Sequence, residues 1–77
     1  MAYLNRGIAR YVIRNYKEAI EDFTSTLKFN PKHSEAYYNR GLAKIAIGQK
    51  DGACIDFKKA GQLGLVQAHE AVKVFCK

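Results

Sequence analysis

The side chains able to do bond-making chemistry are few: His33 and His69, Cys54 and Cys76, and seven Asp and Glu among 77 residues. An enzyme would need a nucleophile beside a base, paired carboxylates or a metal cluster, and the spacing brings none of these together. His33 falls in a turn and His69 on the polar side of the last helical segment. No glycine-rich stretch has the form of a phosphate loop. The two cysteines are too few and too unsystematic for a disulfide framework or a metal site, so they read as small hydrophobes in a reducing compartment. The sequence therefore predicts no catalysis, no metal and no cofactor. It does predict pairing. Arg6 precedes Asp22 by sixteen positions, and Arg40 precedes Asp56 by the same sixteen. An Arg turned toward another helix is costly without a carboxylate, so each is expected to meet an acid on a neighbouring helix as a structural pair rather than an anion site.

Thirteen Lys and Arg against seven acids leave a formal charge of +6. Such a balance raises nucleic acid, anionic lipid or an acidic protein as partner. The basic residues are spread along the chain rather than gathered in a run, which favours a generally solvated surface. Nucleic-acid binding, with Tyr rings stacking on bases, is the lesser reading, and a steep loss of binding with salt would mark it. No apolar run approaches the ~20 residues that cross a bilayer, and the N-terminus lacks the pattern of a signal peptide. The expectation is a cytoplasmic chain without a membrane partner.

The elements that must position these residues show themselves through a repeat. At an offset of 34, Ala2-Tyr3 aligns with Ala36-Tyr37, Asn5-Arg6-Gly7 with Asn39-Arg40-Gly41, and Ala9 with Ala43. Ile13 then matches Ile47, Ala19 matches Ala53, and Asp22-Phe23 matches Asp56-Phe57. Within each unit the apolar residues recur at helical spacing. Helices are predicted over 2–13 and 17–29, the latter ended by Asn30-Pro31. A third runs from Ser34, whose hydroxyl is suited to capping, to about Ile47, where Gly48 supplies a left-handed stop. A fourth begins near Asp51 and carries Ala53, Cys54, Phe57 and Ala60 inward, with Gly61 and Gly64 closing it. A fifth, Val66 to Cys76, has Ala68, Ala71, Val72 and Phe75 on one side and His69, Glu70, Lys73 and Lys77 on the other.

This period, with small and aromatic residues at fixed offsets, resembles the tetratricopeptide repeat. Tyr3, Gly7, Ala19, Phe23 and Pro31 fall on that family's places in the first unit, and Tyr37, Gly41, Ala53 and Phe57 in the second. Arg6 and Arg40 stand where Leu is usual, Arg10 and Lys44 where an aromatic is usual, and Leu65 where a second Pro would be. The resemblance implies an all-α fold, a right-handed α-solenoid of antiparallel helix-turn-helix units with five helices. Its parts would be repeat 1 over 1–33, repeat 2 over 34–66 and a capping helix over 67–77. A cap is needed because the last hairpin would otherwise show an apolar face to water.

In such stacks the first helix of each unit lines the concave surface. The resemblance thus places Leu4, Asn5, Ile8, Tyr11 and Val12 in the groove from the first unit, and Tyr38, Asn39, Leu42 and Ile45 from the second. Lys73, at the place equivalent to Asn39, would add a cation at the edge. An apolar floor with amides suits a peptide segment or partner protein; the alternative is that Leu4, Ile8, Tyr38 and Leu42 pack between helices or under another copy. Family members that clamp acidic chaperone tails use a Lys and two Asn with further basic residues. Here Leu4 and Ile8 replace two of these, which argues against that ligand. Because stable arrays usually need about three units and the first helix begins one residue inside the family's unit, self-assembly or neighbouring repeats of a longer chain are also expected to cover it.

Overall fold

The computed structural model describes residues 2–76 as five helices in succession: α1 (Ala2–Val12), α2 (Tyr16–Phe29), α3 (Ser34–Ala46), α4 (Lys50–Gln62) and α5 (Val66–Phe75). Each packs on the next, so α1–α2 and α3–α4 are hairpins and α5 lies on α4. The expected bounds hold to within a residue at most ends; Ile13, Ile47 and Cys76 lie just outside their helices. Lys77, expected on the polar side of α5, lies outside the described residues. Among the described residues there is no strand, and the arrangement is the all-α solenoid that the repeat implies.

The packing rests on two equivalent contacts. Phe23 and Phe57 are completely buried, and each ring lies against a glycine of the preceding helix. A Cβ on Gly7 would come within 2.7 Å of Phe23 Cε1, and one on Gly41 within 2.6 Å of Phe57 Cε1. Only glycine lets the helices approach this closely. Small residues make up much of the rest of the core: Ala19, Ala36, Ala43, Ala53, Ala60 and Ala68 are all inaccessible to solvent. Ala53, Phe57 and Ala71 form a cluster on which Tyr38, Leu42, Ile45, Val72, Phe75 and Cys76 pack.

Two local expectations are corrected. Ser34 does not cap α3. The cap is His33, whose Nδ1 accepts from the Ala36 N–H at 3.3 Å, because the turn after Pro31 brings the imidazole rather than the hydroxyl over the open amides. The cysteines are not separate hydrophobes: Cys54 of α4 and Cys76 at the end of α5 are joined as a disulfide, with Cα atoms 5.6 Å apart. Their sequence spacing gave no sign of this because the contact depends on how α5 folds back along α4.

Candidate functional site

The aspartates of the second helices organise each hairpin. Arg6 Nη2 donates to Asp22 Oδ1 at 2.7 Å and its Nε to Oδ2 at 3.1 Å, while Arg10 Nη1 lies 3.2 Å from Oδ2. In the second hairpin Arg40 donates to Asp56 through Nη2 at 2.7 Å and Nε at 2.9 Å, with Lys44 Nζ 3.1 Å from Oδ2. Both carboxylates are almost wholly buried. The two-pronged Arg contact satisfies both oxygens, which is what makes a buried charge tolerable. The Arg6 hydrogen bond, helped by the charges of Arg10 and Arg6, holds the Asp22 carboxyl below its ordinary value despite burial. The same bond raises Arg6 above its own. Tyr3 and Tyr37 lie under the Arg6 and Arg40 guanidinium groups at 5.5 and 5.6 Å, within cation–π range. Arg40 also donates to Thr24 Oγ1 of α2 at 3.2 Å and so ties one hairpin to the other.

The Arg–Asp pairs are those the sequence spacing predicts. Arg10 and Lys44 went unassigned there, although each follows its arginine by four residues and so shares that helix face. These four cations are turned to internal carboxylates, and the +6 charge is correspondingly less available to an outside anion. His33 adjoins Ser34 in the chain, but its Nδ1 is engaged as a cap. Among the described residues no three His, Cys, Asp or Glu side chains come together as a metal site.

The proposed groove residues separate into two sets. Tyr38, Leu42 and Ile45 are half-buried against Ala53, Phe57 and Ala71, with Tyr38 tilted on the Phe57 ring at 5.8 Å; much of their surface is already used between helices. Asn39 is half-buried. On α1, Leu4 is half-buried, Asn5 is exposed, and Ile8 and Val12 are 39% and 71% exposed. Tyr11 meets Tyr16 edge-on at 5.5 Å. Lys73 is exposed, with Nζ 3.8 Å from Glu70, and it lies two residues further into α5 than Asn39 lies into α3. The difference arises because α4 ends one residue sooner than α2 and the turn after it is one residue shorter. Lys73 instead lines a cavity of about 440 Å³ between α4 and α5, with Phe57, Lys58, His69 and Val72.

No helix among the described residues is long and apolar enough to cross a membrane. No family model matches the chain. It is 31% identical over 71 residues to the small glutamine-rich tetratricopeptide repeat-containing protein 2 of Saccharomyces cerevisiae, covering 92% of this chain and 20% of that protein. Over 61 residues it is 31% identical to heat shock protein STI1 of the same yeast, 79% of this chain and 10% of the relative. Sperm-associated antigen 1 of Rattus norvegicus is 40% identical over 50 residues, 65% of this chain and 6% of that protein. The chain thus spans a fifth or less of these relatives. A hairpin that returns every 34 residues with glycine seated on a buried phenylalanine, similar in sequence to a protein that bears the repeat's name, places the chain in the tetratricopeptide repeat family.

Proposed function

We propose that the chain is a non-catalytic protein-interaction module that holds a peptide or partner protein along the concave face of its first helices. The observation that carries this reading is the exposed apolar stripe of Ile8 and Val12 beside half-buried Leu4, edged by the amides of Asn5 and Asn39. Backbone groups of an extended or helical segment can pair with the amides while its apolar side chains cover the stripe. Relatives named as heat shock and tetratricopeptide proteins fit such a role in general. An acidic chaperone tail fits this stripe poorly, since Leu4 and Ile8 offer it no donor. The same reading keeps repeat 1 at 1–33, repeat 2 at 34–66 and the cap at 67–77.

Capture from native lysate at two salt concentrations, followed by identification of what binds, tests the proposal. Partners retained at high salt by the wild type and released by Ile8→Asp and Val12→Asp support it; partners that both substitutions leave in place remove it. Loss at high salt alone would favour nucleic acid.

A second reading, assembly with other copies or repeats, is favoured by one comparison. Ala36 and Ala43 of α3, a helix that packs on α2 as well as α4, are buried, whereas the equivalent Ala2 and Ala9 of α1 are exposed. Light scattering over a concentration series distinguishes this: a dimer abolished by Ala9→Lys supports it, and a strict monomer rules out self-assembly.

A further inference from the structure

Helix α5 is fastened differently from the other four. Arg6 and Arg10 clamp α1 to α2 through Asp22, and Arg40 and Lys44 clamp α3 to α4 through Asp56. Arg40 and Thr24 tie the hairpins together. Among the described residues no ion pair joins α5 to another helix, since its Lys73–Glu70 contact is internal. Its main packing partner is α4, and a ten-residue helix is too short to persist alone in water. What fixes its far end is the bond between Cys54 and Cys76. That bond lies beside the stack of Phe75 on Phe57, ring centres 5.7 Å apart, at the cluster that also takes in Tyr38, Leu42 and Ile45. Both cysteines are only half-buried.

We propose that Cys54 and Cys76 form a reversible thiol–disulfide site that latches α5 onto α4, with a low-molecular-weight disulfide such as oxidised glutathione as its oxidant. One cysteine thiolate attacks a sulfur of the small disulfide and expels one thiol, leaving a mixed disulfide. The second cysteine thiolate then attacks the protein sulfur of that bond and expels the other thiol. The protein loses two electrons and two protons; the small disulfide takes both as two thiols. Cys54 Sγ lies 3.6 Å from the Phe75 carbonyl oxygen, so a thiol freed by reduction has only a weak hydrogen bond to offer there. The end of α5 then loosens, Phe75 leaves Phe57, and the apolar side of Tyr38, Leu42 and Ile45 is less covered. The latch does not rest on the peptide-binding reading, and Tyr38, Leu42 and Ile45 are the residues that it shares with the groove.

The test uses the whole chain equilibrated in mixtures of oxidised and reduced glutathione, with alkylation and mass measurement to count thiols and hydrogen exchange to follow the helices. Both thiols are expected to disappear together into one intramolecular bond. On reduction, the amides of residues 72–76 should exchange about tenfold faster or more, while those around Gly7 and Ala19 hold. A Cys54→Ser, Cys76→Ser double variant should show the fast pattern in both buffers. If that variant does not fold, reduction of the wild type gives the same comparison without substitution. Thiols that stay free, glutathione adducts that never resolve into the pair, or equal exchange of α5 in the two states would overturn the proposal.

Discussion

The two hairpins carry the same Arg–Asp clamp in surroundings of different dryness. The Arg6 side chain is 54% exposed and Arg40 18%; Arg10 is 32% exposed and Lys44 19%. The aspartates they hold are equally buried. The difference follows the packing: α3 lies on α2, where Arg40 reaches Thr24, whereas α1 has no described helix before it. The same Arg–Asp pair thus forms a surface clamp in one unit and an internal one in the other. Their energetic weight follows the neighbouring helix rather than the residue type.

The sharpest way to break this comparison is at the buried rings. Phe57→Ala is expected to cost about 3–5 kcal/mol, a large share of the stability of so small a domain. Phe23→Ala should cost less, because Leu4 stands where the second hairpin has Tyr38, and Phe57 carries Tyr38 on one side and Phe75 on another. Urea unfolding followed by helical circular dichroism measures both. Equal losses would show that the extra aromatic contacts add nothing.

Next come the clamps. Arg40→Ala leaves buried Asp56 with Lys44 alone and cuts the bond to Thr24, so a loss of about 1–3 kcal/mol is expected. Arg6→Ala should lose less, since water already reaches that arginine. Thermal melts of the two variants give the order, and a larger effect at Arg6 would contradict the role assigned to α2.

Acid provides a smaller, continuous probe of the first clamp. Asp22 has its folded-state value depressed by Arg6, so its contribution is fully present above the unfolded carboxylate value of about 3.9. It is lost as pH falls below that point and through the lower folded value. The melting temperature should therefore begin to drop below about pH 4. Asp22→Asn should start lower at neutrality and descend less steeply. Parallel acid limbs in the two proteins would show that Asp22 does not supply the linkage.

Much of this was legible in the sequence because it is local or repeated. The 34-residue offset, the small and aromatic residues at fixed places and the sixteen-residue Arg–Asp interval all follow from helix periodicity and two copies of one unit. The rest depends on the lengths of connections. Lys73 could be made equivalent to Asn39 only by assuming that the turn into α5 equals the turn into α3, and it is shorter. The Cys54–Cys76 bond needed the same missing register. Burial of Ala43 but not Ala9 could not be read from either residue, since it is decided by the helix alongside. The second cations, Arg10 and Lys44, were within reach: each lies one turn beyond its arginine, on the face already assigned to an aspartate.

The smallest expected effect lies in the two hairpin turns, which share a backbone path but differ at its left-handed residue. Arg14 has φ +68° and Gly48, its equivalent, φ +83°; in both, the next amide donates back to the helix, Asn15 to the Arg10 carbonyl at 2.7 Å and Gln49 to that of Lys44 at 2.8 Å. This left-handed conformation costs a non-glycine residue about 1–2 kcal/mol, partly offset by the greater entropy that glycine loses on folding. Arg14 is exposed, so Arg14→Gly should raise stability by about 0.5–1 kcal/mol. A Cβ at Gly48 would meet nothing within 4 Å, so Gly48→Ala should lose a similar amount through the backbone alone. Melting temperatures that move in opposite directions by comparable amounts would confirm that the turns are equivalent. A neutral Gly48→Ala would mean that the second turn can leave the left-handed region, and with it that α3 and α4 are joined less rigidly than α1 and α2.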